Sequence, residues 1–391
     1  MLIGFTVENF RSFLNETRLS MVATSDKEHR EFNVISAEHD DLLKSVLIYG
    51  PNAGGKSNLI HAMHYMQQMV SSSIDVQTEH IKRCQPFTFR EDAKSLPVKF
   101  EISFVSENMV YEYGFDILNG QINKEYLYKK AKRRTLVFER SAPEYESIQL
   151  TSDMADVEAL KKNVRNDVLF LTWAAYANNK TAIQIVEWIS KKLLIVGFGN
   201  QDFKINILDN NLVNEYFLNF PKKADNDIVN IKLKSGELLS SHWLYNENWD
   251  KMKTIDVSFD MYSSDGTKRM LELSDSFFRA LTKTAVIIID EMDLHLHPVL
   301  VRHLIALINS IAHNPDNAQL VCTTHDVMLL DEDIRRDQIW FVEKDEHSVS
   351  NLYSLSDFKD IRKNSDILKR YLLGVYGAVP DLNRGDANEQ K

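Results

Sequence analysis

Hydrophobic positions in the first 140 residues follow two periods. Ile3, Phe5 and Val7 alternate with Gly4, Thr6 and Glu8, which predicts a strand with one face buried. Ser45 to Tyr49 is a short apolar run rich in β-formers, the pattern of a strand covered on both faces. Leu59, Met63, Met66 and Val70 then recur at helical spacing. Between the two strands, "TSDKEHREFNVISAEHDD" is polar and predicts a loop. Alternation returns in "VKFEISFVS", "MVYEYGFDI" and "EYLYKKAKRRTLVFER", which together predict an antiparallel meander.

Beyond residue 150 the period becomes helical, with Ile183, Val186, Ile189 and Leu193 on one face. The stretch 200–260 is mixed. "TAVIIIDEMD" then carries five apolar residues, Ala285 to Ile289, into Asp290-Glu291, and "AQLVCTTHD" is a second such strand ending in Thr323-Thr324-His325-Asp326. Continuous apolar strands interspersed with amphipathic helices place the chain in the α/β class.

The strand-to-helix junction at residue 50 carries candidate chemistry. It reads G-P-N-A-G-G-K-S: Gly50, four residues, then Gly55-Lys56-Ser57, the spacing of a P-loop. Backbone N–H groups must turn inward onto phosphate oxygens, and glycine permits that curvature. Gly50, Asn52, Gly54, Gly55, Lys56, Ser57 and Asn58 are therefore the predicted ATP-binding residues, with Lys56 on the β- and γ-phosphates and Ser57 on Mg2+. Asp290, at the end of its strand, has the form of a Walker B acid that helps hold the same Mg2+. Glu291, one residue on, is placed to polarise an attacking water, which predicts hydrolysis as well as binding. His325 ends a neighbouring strand on the edge where ligands bind in parallel sheets.

Composition narrows the setting. With 391 residues, 44% hydrophobic, the chain suffices for one large or two medium domains. Its net charge of −10 argues against general nucleic-acid affinity, although Lys129, Lys130, Lys132, Arg133 and Arg134 cluster at an expected hairpin tip that could reach nucleic-acid phosphates. Cys84 and Cys322 have neither metal-type nor disulfide-framework spacing. The start of the chain reads as a strand rather than a signal peptide, and no apolar run spans a bilayer, so a soluble cytoplasmic protein is expected.

The order of P-loop, long insertion, "YSSDGTKRM", "VIIIDEMD" and "TTHD" resembles ABC-type ATPases of the SMC and recombination-repair class. "GPNAGGKSN", "DEMDLHLHP" and "YLLGVYGAVP" are closer to compact bacterial ATPases of antiphage and abortive-infection systems, the Rlo-type and overcoming-lysogenization-defect families. The resemblance implies an ABC-type head with a mixed central sheet, an antiparallel β subdomain and a short helical insertion. No sustained heptads occur in 141–260, so no long coiled coil is expected.

It further implies that two heads sandwich ATP. Ser264 and Gly266 occupy the place of the signature that completes the partner head's site, with Asp265 where glycine is common. His325 becomes a γ-phosphate switch, His295 to Pro298 a D-loop, Arg11 a nucleotide-contacting basic residue and Gln85 a Q-loop residue. The expected division is 1–140 for the N-terminal half of the head, 141–258 for the insertion, 259–381 for the C-terminal half and 382–391 for a polar tail. Little chain follows His325, so an effector nuclease is expected on a separate chain that this homodimeric or higher-order ATPase would regulate. A DNA-repair ATPase that binds DNA directly and an ATP-assembled scaffold are the alternative readings.

Overall fold

The computed structural model describes residues 1–37, 39–75, 80–197, 215–331, 333–359 and 366–380. The alternating runs and the continuous apolar runs separate into two different sheets. The alternating ones form a seven-stranded antiparallel sheet in the order Ile148–Leu150, Arg134–Arg140, Gln121–Lys130, Met109–Leu118, Val98–Ser106, Leu2–Glu8 and Thr17–Ser20. Its register sets Phe5 opposite Ile102 and Phe100 opposite Phe115. These cross-strand pairs hold the buried face together.

The continuous runs form a six-stranded sheet, ordered Leu193–Val196, Val286–Ile289, Gln319–Thr323, Ser45–Tyr49, Ile339–Lys344 and Ser350–Ser354. Its pairings are parallel except the last, so the sheet is mixed. Both faces are covered, which is why polar alternation is missing. Val46, Ile48, Val286, Ile288 and Val321 point into a core shared with helix Lys56–Ser72 and the antiparallel sheet. Leu47, Ile287, Ile289, Leu320 and Cys322 point the other way, onto Met270, Leu273 and Phe277 of helix Asp265–Lys283 and Val301, Leu304 and Ile308 of helix Pro298–Asn309. Leu59, Met63, Met66 and Val70 are all buried, as their spacing predicts.

A third, antiparallel sheet, Asn230–Lys234, Glu237–Tyr245 and Lys251–Ser258, is rooted on Ile228, Ile231, Phe259 and Leu271. The architecture is thus of the expected α/β class, with a mixed central sheet and an antiparallel β subdomain. Among the described residues there is no long coiled coil, and no helix is long and apolar enough to cross a membrane.

Two local expectations are corrected. Helix Lys180–Glu187 winds into a π turn at Trp188–Lys192, and Leu193 begins a strand, so it does not share a helical face with Ile183, Val186 and Ile189. The physical reason is the Leu-Leu-Ile-Val run, which pairs in parallel with Val286–Ile289 and gains a buried ladder that a helix end would forgo. The polar stretch 24–41 is not wholly loop. It contains helix Arg30–Asn33 and strand Val34–Ile35, anchored by the buried Arg335, whose Nη1 donates to the carbonyls of Asp26 and Glu28 at 2.8 and 2.7 Å. The expected tail, 382–391, lies outside the described residues, as do residues 198–214 of the mixed stretch.

Candidate active site

The loop from Gly50 to Gly55 joins the central strand Ser45–Tyr49 to helix Lys56–Ser72, so its N–H groups crown a helix N-terminus. Neighbouring chain enforces the glycines. A Cβ on Gly50 would lie 2.1 Å from the carbonyl oxygen of Val342, and one on Gly55, whose φ is +124°, would lie 2.3 Å from Ser350 Oγ. That hydroxyl donates to the Gly54 carbonyl at 2.7 Å and lies 2.8 Å from Ser12 Oγ, which accepts from Asn58 Nδ2 at 2.7 Å. Two serines from distant parts of the chain therefore support the underside of the loop. No local spacing could reveal them.

Lys56 is 6% exposed, and its Nζ donates to the carbonyls of Gly50 and Pro51 at 2.7 and 3.2 Å. Burial lowers its pKa, opposed by Asp290, Glu291 and Asp293. A polyphosphate would offer the same ammonium charged acceptors, which bind it more strongly than neutral carbonyls do. Ser57 is partly exposed on the first turn and Asn52 is exposed on the loop.

Arg11 has a left-handed φ of 51°. Its N–H donates to the Gln85 carbonyl at 2.8 Å and its Nη1 to Asn58 Oδ1 at 3.3 Å, so Arg11, Asn58 and Gln85 form one group beside the P-loop helix. Gln85 takes part through its backbone. Arg11 Nε is buried with no hydrogen-bond partner.

The carboxylates end the strand two places from the P-loop strand. Thr323 Oγ1 donates to Asp290 Oδ1 at 2.7 Å and accepts from the Glu291 N–H at 2.7 Å, so one hydroxyl from the intervening strand sets both residues. Glu291 has φ +50°, a left-handed setting unfavourable by about 1 kcal/mol for a residue with a Cβ. Asp293 accepts from the His325 N–H at 3.1 and 3.2 Å. Burial lowers the His325 pKa and the Lys56 charge adds to this, against the three carboxylates, which favours the neutral imidazole.

Ser264 and Gly266 stand apart from this group. Ser264 caps helix Asp265–Lys283, accepting from the Thr267 N–H at 3.1 Å, and a Cβ on Gly266 would lie 2.7 Å from the His295 carbonyl oxygen. Asp265 is exposed on the first turn, where an acid is favoured by the helix dipole. Thr323, Asp293 and Arg269 are further residues of the site that spacing alone did not identify.

At the basic hairpin, Lys129 pairs with Asp153 at 2.7 Å, and Arg134 pairs with Glu112 at 2.8 Å while its guanidinium lies 3.4 Å from the centre of the Tyr128 ring. Lys130, Lys132 and Arg133 are exposed at the tip. Two of the five residues of the expected patch are thereby engaged within the fold.

A phosphate-loop strand, an Asp-Glu pair ending one strand of the same sheet and a histidine following the strand between them give the layout of a P-loop nucleotide-binding domain. The chain belongs to the family described as "AAA domain, putative AbiEii toxin, Type IV TA system", whose profile matches residues 45–331. Among solved structures it is similar to the SMC head domain from Thermotoga maritima, at 13% identity and a TM-score of 0.43, covering 90% of this chain and 98% of that one. It is also similar to an SMC head bound to the C-terminal winged-helix domain of ScpA, at 15% identity and a TM-score of 0.42, covering 90% and 97%. No curated protein matches the sequence.

Proposed function

We propose that the chain binds and hydrolyses MgATP and that nucleotide state sets whether two copies are joined. The loop from Gly50 to Gly55 and Lys56 hold the phosphates; Asn52 and Asn58 flank them, and Arg11 and Gln85 contact the nucleotide. Ser57 and Asp290 supply hard oxygen donors suited to Mg2+. Glu291 is the general base, and neutral His325 reads the γ-phosphate. Ser264 and Gly266 complete the site of a second copy. The observation that carries this reading is that the loop bearing Lys56, the Asp290-Glu291 pair and His325 follow three adjacent parallel strands of one sheet, with Thr323 Oγ1 bonded to both Asp290 and Glu291.

The cellular role we infer is that of a sensor and regulator in a bacterial antiphage system, of abortive-infection or toxin–antitoxin kind, acting on a separate effector of nuclease character. The family description supports the setting. A protein partner is supported by the third sheet, which exposes Trp243, Tyr245, Trp249 and Met252 just before the signature; Trp249 is 81% exposed. Its loop is fixed, since Asn246 Oδ1 accepts from the N–H groups of Asn248 and Asp250 at 2.9 and 2.8 Å. A pre-ordered aromatic anchor loses little entropy on binding. The second reading, direct DNA binding by a repair ATPase, is favoured by the exposed Lys130, Lys132 and Arg133.

Affinity purification of tagged Glu291→Gln protein from its host, with and without nuclease treatment, separates the two. The regulator reading predicts a stoichiometric small protein that survives nuclease. Copurifying DNA with no protein would overturn it in favour of repair.

A further inference from the structure

We propose that Arg269 is a positioning residue that makes the setting of Glu291 depend on the signature helix; this rests on Glu291 being the general base. Arg269 lies on helix Asp265–Lys283, just inside the cap formed by Ser264, and is 8% exposed. Its Nη2 donates to the carbonyl oxygens of both Asp290 and Glu291, each at 3.3 Å. Its Nη1 donates to Glu272 Oε2 at 2.7 Å, which anchors the guanidinium to its own helix. Gly266, three residues earlier and so on the same helical face, meets the His295 carbonyl with no room for a Cβ. The helix therefore touches the 290–295 turn at two points.

Those contacts matter because of where they act on Glu291. Its N–H donates to Thr323 Oγ1, on the central sheet, whereas its C=O accepts from Arg269, on the helix, and from the Leu294 N–H of its own turn at 3.1 Å. With φ at +50°, the direction of the side chain is set by these two peptide planes. A shift of the helix relative to the sheet moves one anchor and leaves the other. Asp290 shares the Arg269 contact at its carbonyl, but its carboxylate is held by Thr323 Oγ1 and its N–H by the Val196 carbonyl at 3.3 Å, so two sheet anchors steady the metal-side acid when the helix moves. Binding and hydrolysis are thereby separable: Asp290 has two anchors on the sheet against one on the helix, and the helix that presents Ser264 to an opposing copy also aims Glu291.

The test is steady-state ATPase kinetics with separate nucleotide-binding titrations on the full chain. Arg269→Gln is expected to lower kcat about 10- to 100-fold, the range for a misplaced catalytic group, with Kd for ATP near wild type and a modestly lower thermal midpoint from the loss of the buried pair with Glu272. Arg269→Lys keeps the charge but loses the fork and should fall between the two. Ser264→Ala should lower turnover in the wild-type background and add little in Arg269→Gln, because both act along one route. Unchanged kcat in Arg269→Gln, or fully additive effects with Ser264→Ala, would overturn the proposal. So would loss of ATP binding or of thermal stability in step with kcat in both Arg269 variants. Glu291→Gln measured alongside keeps the two assignments apart. Wild-type turnover in Glu291→Gln removes the general base itself, whereas a dead Glu291→Gln beside a fully active Arg269→Gln removes only the role of Arg269.

Discussion

At Gly55 a side chain would meet Ser350 Oγ at 2.3 Å on a backbone with φ +124°. Gly55→Ala is therefore expected to lower unfolding stability by about 2 kcal/mol, read by urea titration. Adding Ser350→Ala should recover only part of this, since the strained φ persists; full recovery would contradict the geometry. His61, one turn beyond Ser57, has its pKa lowered from 6.5 to about 4 by burial, with the Arg11 charge adding and Asp290 opposing. The folded protein keeps this ring neutral while the unfolded chain protonates it, so its contribution is present above pH 6.5 and lost as pH falls toward 4. The drop in thermal midpoint between pH 7.5 and 5 should accordingly be smaller in His61→Gln than in wild type, and an equal drop would contradict this. The P-loop and the Asp-Glu pair were legible in the sequence because each is contiguous. Ser12, Ser350 and Arg269 were not, because their partners are brought to them only by the fold.

At the scale of elements, the two periods in the sequence identified most strands and the P-loop helix, but not which strands share a sheet. Leu2–Glu8 alternates and joins the antiparallel meander, although Ser45–Tyr49, the next strand that the pattern predicts, lies near the centre of the other sheet. The strand Leu193–Val196 was hidden because a short apolar run after a helix continues helical spacing by accident, and only its pairing with Val286–Ile289 decides the matter. The basic hairpin shows the same limit for charge, since cross-strand partners such as Glu112 are invisible to a local count. Reversing Lys130, Lys132 and Arg133 to Glu is expected to leave the thermal midpoint and any copurifying protein unchanged, whereas Lys129→Glu, which breaks the pair with Asp153, should lower the midpoint. Loss of the copurifying protein on the triple reversal would place the partner surface at this tip.

For the whole molecule, the nucleotide loop and its acids lie at one end of the central sheet, while Ser264 is exposed at the head of a helix that packs on the opposite face of that sheet. On the proposed function, Ser264 would complete the site of a second copy, which makes joining of two copies the point to test. The most direct measurement is the solution mass of Glu291→Gln protein by light scattering, with and without MgATP, beside Lys56→Ala. The account predicts twice the mass of one chain for Glu291→Gln only when MgATP is present, and no such change for Lys56→Ala. The same mass for Glu291→Gln with and without nucleotide would contradict it.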